Sequence, residues 1–328
     1  MTVLITGGTG FIGSRLALRC LDAGERVRVL ALANDAVQER NRATIEAEGG
    51  EVVLGSITDR KVVQAAMDGV NAVFHLAAAQ HEMNVPDQHF RDVNVEGTRN
   101  LLEAAAAAKV ERFVHGSTIG VYGAAEGRID ESTPMRPDNI YGQTKAEGEK
   151  LALSYVPRVP VTATRIAEVY GPGDRRLLKL FKAINKGRFV MIGRGDNRHQ
   201  PIYVDDLVEG MRLARMRPQA VGQVFVLAGP EPVTTIEMVD AIAAALGKDK
   251  RAPRVPMWPF MAAAVVLEST LRPLGIQPPL HRRRMDFFRK SLWFSTDRAR
   301  ADLGFVAKTD FRRGAELTAL WYAKQGEL

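Results

Sequence analysis

The sequence predicts an α/β protein built on a doubly wound parallel sheet, with a smaller lobe supplied by its C-terminal half. Three observations lead there. An apolar strand, Val3-Leu4-Ile5, runs through Thr6 into Gly7, Gly10 and Gly13 and straight on into a helix. Apolar strands then alternate with helical stretches as far as residue 166, the order that gives parallel strands covered on both faces. Beyond that point the alternation breaks down and Pro and Gly become frequent.

Strands are expected near 2–6, 26–31, 51–54, 72–75, 112–116 and 161–165, and helices near 11–23, 35–48, 59–67, 91–108 and 141–155. The first turn carries the most information. Gly7 lets the chain leave the strand sharply, Gly10 removes a side chain where a pyrophosphate must approach, and Gly13 lets the helix pack closely. The helix opening at Phe11-Ile12 aims free N–H groups and its positive end at the phosphates. This segment therefore predicts dinucleotide binding. The alanine-rich stretch Glu103 to Lys109 allows tight packing on the sheet. Residues Ile202 to Ala214 and Val224 to Val226 return to the first unit. The dinucleotide-binding domain is thus expected over 1–166 with returns near 202–228, and the substrate lobe within 167–328. That lobe would lie over the C-terminal strand ends, where such sheets bind ligands.

Composition narrows the class. A hydrophobic fraction of 46% and a charged fraction of 25% are those of an ordinary globular chain. The single cysteine, Cys20, excludes an internal disulfide and sits between Leu18 and Leu21 as a core residue. The six histidines lack the short spacings of metal ligands, so no metal is expected at His75, His81, His89, His115, His199 or His281. The formal net charge is +7, with clusters at Arg282-Arg283-Arg284, Arg289 and Lys290 and at Arg175-Arg176, Lys179 and Lys182. These read as solvated surface, with an anionic substrate or an anionic membrane surface as the sharper alternatives. No motif for reading nucleic acid accompanies them. A strand begins at once, so no signal peptide is expected. The longest apolar run, Val255 to Leu267, has 13 residues, short of the roughly 20 that span a bilayer. The expectation is a cytoplasmic protein, with peripheral membrane contact left open.

Tyr141-Gly142-Gln143-Thr144-Lys145 places a phenol and an ammonium at i and i+4, on one helix face. A nearby cation stabilises the phenolate and suits the tyrosine to proton transfer. Further ordered segments are Val73-Phe74-His75-Leu76-Ala77-Ala78, Asn94-Val95-Glu96-Gly97-Thr98, Ser117-Thr118 before Val121-Tyr122-Gly123, Val169-Tyr170-Gly171-Pro172-Gly173-Asp174, and Val204-Asp205-Asp206. With the glycine turn and the Tyr141/Lys145 pair, the set resembles the extended short-chain dehydrogenase/reductases over nearly the whole chain. That group includes nucleotide-sugar epimerases and dehydratases, 3β-hydroxysteroid dehydrogenases and dihydroflavonol-type reductases.

The resemblance implies a Rossmann sheet, a bound NAD or NADP, and a homodimer formed through the helices near 91–108 and 141–155. It makes Tyr141 the general acid/base and Lys145 its electrostatic partner, both bordering the cofactor. Thr118 would hold the substrate oxygen, with Ser117 as the alternative. Leu76, Ala77, Ala78, Ser56 and Ile57 would line the cofactor, and Asn94 would support the site or act as a simple cap. Ala31 and Ser56 stand where NAD-preferring relatives often carry aspartates. Yet 31–36 offers no base to a 2′-phosphate and Asp35 would repel one, so the reading leans to NAD and keeps NADP open.

Departures from the pattern bear on the substrate. Ile119-Gly120 replaces the Asp-Glu of nucleotide-sugar dehydratases. Glu168 replaces an asparagine that serves a sugar diphosphate, and Arg198 approaches the phosphate-contacting register of the epimerases. The apolar stretch Val255 to Pro259, with Leu274-Gly275-Ile276 and Pro278-Pro279, resembles that of the steroid dehydrogenases. It reads as a buried helix closing the lobe, a lipophilic substrate wall or a membrane-surface patch. The expected reaction is hydride transfer at a secondary alcohol or ketone, with nucleotide-sugar 4-epimerisation as the alternative and a non-catalytic cofactor sensor as the third reading.

Overall fold

The structure is a computed structural model that describes residues 1–80, 85–123, 125–248, 252–271 and 282–328. Its central sheet contains Thr2–Thr6 (β1), Arg26–Ala31 (β2), Glu51–Leu54 (β3), Ala72–His75 (β4), Arg112–Thr118 (β5), Val161–Ile166 (β6) and Val224–Leu227 (β7). All pair in parallel, in the order β7-β6-β5-β4-β1-β2-β3. Strands buried on both faces need continuous apolar runs, and Val3, Leu4 and Ile5 are each fully buried. Val3 and Ile5 share one core with Leu16, Ala17 and Cys20, while Leu4 joins Val63, Leu101 and Leu102 on the opposite side. Burial pushes the Cys20 thiol up to about 12.

The helices of the first half are Phe11–Asp22 (α1), Ala36–Ala47 (α2), Arg60–Met67 (α3), Asp87–Arg91 (α4), Thr98–Ala107 (α5) and Ile140–Ser154 (α6). Asp35 and Asp59 cap α2 and α3 by accepting two backbone amides each. Between α4 and α5 the chain makes a π-helical turn, Asp92–Gly97, so the helical stretch expected from 91 begins at Asp87. That turn holds Asn94 buried. Sheet order reverses between β1 and β4, where Thr6 stands level with His75. This is the switch point at which such sheets open a ligand crevice.

The second half provides Arg175–Asn185 (α7), Val204–Met216 (α8), Thr235–Ala245 (α9), Trp258–Leu271 (α10), Arg282–Arg289 (α11) and Phe311–Lys324 (α12). Helix α8 packs against α1, β5 and β6. A separate core joins Tyr170, Leu178, Phe181, Ile242, Phe311 and Tyr322. The segment after α11 goes back to the first half: Leu292–Phe294 pairs with Gly127–Ile129 in a separate two-stranded sheet, and Phe294, Leu303 and Phe305 enter the first core. Helix α10 is not a buried plug, because Trp258, Val265 and Val266 are 74%, 48% and 58% exposed. Leu274 to Pro279, His81 and His281 lie outside the described residues. Among the described residues, no helix is long and apolar enough to cross a membrane.

Candidate active site and dinucleotide cradle

The cradle is built from the β1–α1 turn. Gly7 has φ +69°, and a Cβ there would lie 2.8 Å from the Ala77 amide nitrogen. A side chain on Gly13 would overlap the Gly7 carbonyl oxygen. At Gly10, among the described residues, the one close neighbour of a Cβ would be that same oxygen, at 3.2 Å, so the space before Gly10 is open. Helix α1 has no side-chain cap, which leaves its first-turn amides for a ligand. Asn41 donates to the Thr9 carbonyl at 2.8 Å and Thr9 donates to the Leu32 carbonyl at 3.1 Å, fastening the turn. Narrow backbone, open front and uncapped helix together fit a pyrophosphate. The Phe11 ring lies against the turn at Gly173, and Ile12 packs on the first core.

The end of β4 is tied to the same turn. The amides of Leu76 and Ala77 each donate to Thr6 Oγ1 at 3.2 Å, and Ala78 follows half-buried. Asn94 then clamps Ala79: its Oδ1 accepts the Ala79 amide at 2.8 Å and its Nδ2 donates back at 3.0 Å. The same Nδ2 reaches Thr144 Oγ1 at 2.9 Å, linking the clamp to α6. His75 lies behind, fully buried between Thr6 and Thr98 at 2.8 Å each, and burial holds its imidazole far below the ordinary range. Ile57 is buried against Gly97, and Ser56 meets Thr58 at 2.7 Å.

Asn139 caps α6 by accepting the Gly142 amide at 3.0 Å, which sets Tyr141 in the first turn and Lys145 in the next. Lys145 is 3% exposed and donates to the Gly116 carbonyl at 2.6 Å. Burial lowers its pKa to about 8, against an opposing pull from Glu149. Tyr141 is half-buried, with its ring edge beside Gly120. Thr118 ends β5, and its hydroxyl oxygen accepts the Gly120 amide at 3.1 Å, keeping its own proton for a ligand. The bare Cα of Gly142 meets the Gly120 carbonyl, so α6 approaches the Thr118–Gly120 turn closely.

Ser117 points elsewhere. Its hydroxyl donates to Glu149 Oε2 at 2.6 Å, and Glu149 holds Arg165 through contacts as short as 2.7 Å. Arg165 donates in turn to the Tyr122 hydroxyl at 2.7 Å. The Glu149–Arg165 pair escaped the sequence reading, although extending the Tyr141/Lys145 spacing by four residues lands on Glu149.

Glu168 lies two residues beyond the end of β6, with 40% of its side chain exposed and Oε2 3.3 Å from His199 Nδ1. The other ring nitrogen of His199 lies 3.0 Å from Thr235 Oγ1 and 3.1 Å from the Phe287 carbonyl. Burial alone would drive both groups toward neutrality. Their contact instead holds the Glu168 carboxyl below its ordinary range and lifts His199 above its own. His199 was invisible as a site residue because its ionic partner, Glu168, lies 31 positions away; the one near neighbour that meets its ring is Asn197, at 3.1 Å. Arg198, one residue earlier, is exposed and stacks on Trp293 with its guanidinium 5.1 Å from the ring centre.

Comparison with known proteins agrees with this architecture. The NAD dependent epimerase/dehydratase family model matches residues 3–228. A 3 beta-hydroxysteroid dehydrogenase/Delta 5→4-isomerase of Mycobacterium tuberculosis is 32% identical, over 92% of this chain and 85% of that protein. A dTDP-glucose 4,6-dehydratase of Streptomyces niveus is 31% identical, over 98% and 93%. The solved epimerase Mth375 of Methanothermobacter thermautotrophicus superposes with a TM-score of 0.80 at 27% identity, over 99% and 93%. The family match over residues 3–228 and these relatives place this chain in the NAD-dependent epimerase/dehydratase family, as an NAD(P)-dependent enzyme of the extended short-chain dehydrogenase/reductase group.

Proposed function

We propose that this enzyme transfers a hydride at a secondary alcohol or ketone carbon of an apolar or mixed substrate, as 3β-hydroxysteroid dehydrogenases and dihydroflavonol reductases do. Glu168 carries the choice. Its carboxylate is kept ionised by His199 at the rim where a sugar diphosphate would need a neutral or cationic partner. Ile119 and Gly120 bring no carboxyl group to the Thr118 turn, which speaks against dehydration of a nucleotide sugar. NAD is the favoured cofactor: Ala31 closes β2 without a base, and Asp35 adds negative charge at the head of α2.

When bound, the dinucleotide supplies or accepts the hydride. The chain's own residues do the rest. Thr118 holds the substrate oxygen, and Tyr141 gives or takes its proton. Lys145, cationic at neutral pH, favours the phenolate from one turn along α6. Gly7, Gly10 and Gly13 would admit the pyrophosphate, Leu76 to Ala78 would border the nicotinamide half, and Ser56 and Ile57 the adenine. A homodimer working in the cytoplasm completes the reading.

The test is a direct binding comparison. Wild-type protein should turn over members of a panel of apolar secondary alcohols and ketones with NAD or NADH, and should leave uridine and thymidine diphosphate sugars unbound. Glu168→Asn should alter the apparent affinity for the turned-over substrate without creating nucleotide-sugar binding. Micromolar binding of a nucleotide sugar by the wild type would reject the proposal and favour 4-epimerisation.

A further inference from the structure

Helix α10 is inside out. Its only charged residue, Glu268, is 6% exposed, while its outward side carries Trp258, Val265 and Val266 with Ala262 and Ala263, and near its end Ser269 and Thr270, whose hydroxyls turn back onto the Val266 carbonyl. A helix meeting water places its charge outward and its apolar stripe inward. A contiguous apolar face in the opposite sense marks a surface that is covered in use.

The border of this face says what covers it. Exposed Arg254 lies four residues before Trp258, on the short strand Arg254–Val255 paired with Met191–Ile192. That partner strand follows exposed Lys186 and Arg188, with Val190 37% exposed between. On the other side α10 packs against α11. Stacking of Phe189 on Phe288, with ring centres 6.5 Å apart, ties the two borders together. The apolar face is therefore bordered by the exposed cations Lys186, Arg188 and Arg254, in a chain of net charge +7, and the helix's own acid is turned away.

We propose that α10 and its basic border form a docking surface for an anionic lipid bilayer. Trp258, Val265 and Val266 would enter the headgroup–acyl boundary, and the cations would meet lipid phosphates. Among the described residues the helix has 14, short of the roughly 20 that span a bilayer, and it would lie along the surface. A second copy of the chain fits less well, because a two-fold contact through this face would set its cations against themselves.

Co-sedimentation of the full chain with vesicles tests this. Mixed phosphatidylcholine and phosphatidylglycerol vesicles should bind the protein about tenfold or more better than phosphatidylcholine alone, and added salt should weaken the binding. Val265→Ser with Val266→Ser should lower it about tenfold or more, as should Arg188→Gln with Arg254→Gln. A blue shift of tryptophan emission on vesicles should vanish in Trp258→Phe. A cofactor-induced rise in melting temperature verifies that each variant is folded. Absence of binding to the anionic vesicles, or binding unchanged in the Val265/Val266 variant, overturns the proposal. So does self-association in light scattering that the same variant abolishes while vesicles remain unbound. Tyr141→Phe should bind vesicles like the wild type, so failure of the redox reading would leave this result standing.

Discussion

Lys145 illustrates how this site uses a costly residue. Its ammonium is buried, satisfied by the Gly116 carbonyl, and drawn down to about 8 by desolvation. The folded pKa lies below the ordinary value of 10.5, so between those pH values the unfolded chain binds more protons. Stability should therefore rise with pH across that window, and below it the full penalty, on the order of 3 kcal/mol, is present. Denaturant unfolding of wild type and Lys145→Met should show the variant's advantage at neutral pH shrinking toward pH 10. A gap that does not change with pH would mean that the lysine is not desolvated as described. The neighbouring phenol is tested by activity. Tyr141→Phe should reduce turnover by roughly 10²–10⁴-fold and leave cofactor affinity nearly intact. Retention of more than a tenth of the wild-type rate would assign the proton transfer to another residue.

At the level of elements, the glycines of the first turn separate fold from function. A side chain on Gly13 strikes the Gly7 carbonyl, so Gly13→Ala should destabilise the protein itself, seen as a lowered melting temperature without ligand. Gly10 faces open space, so Gly10→Val should abolish the fluorescence signal of cofactor binding while keeping the fold far better than Gly13→Ala does. Equal melting losses in the two variants would contradict the open cradle. The buried Glu149–Arg165 pair gives a third test. Glu149→Ala strands an arginine side chain that is only 5% exposed, and denaturant unfolding should register a loss of about 3–5 kcal/mol. The strands and the cradle were legible in sequence because their signals are local: a continuous apolar run, then glycines at fixed offsets, then a helix. Tyr141 and Lys145 were legible for the same reason. What the sequence could not display was pairing across the chain. Glu168 and His199 come together only through the lobe, and Leu292–Phe294 reaches Gly127–Ile129 with no local pattern to announce it. An apolar run such as Val255 to Leu267 reads alike whether it enters a core or faces outward, and the exposure of α10 had to come from the structure.

For the whole molecule, the remaining question is assembly. Helices α5 and α6 pack side by side, and α5 ends in exposed Ala107 followed by exposed Ala108. Glu103 is fixed by Tyr155 and Arg158, and Arg91 by Glu147, so polar groups along this side are already paired within one chain. Small side chains permit close helix approach, and a two-fold axis through such a face would join the two helices of each copy in a four-helix contact. Such a contact would hold α6, and hence Tyr141 and Lys145, against a partner. It would leave α10 and its basic border free for a membrane surface. Light scattering at micromolar concentration should give twice the chain mass of 36.0 kDa. Ala107→Arg, which places a long cation where close approach is required, should return the mass to 36.0 kDa while the unfolding midpoint of the monomer stays near that of its dilute wild-type counterpart. A wild-type protein that scatters as a monomer at that concentration would reject the pairing.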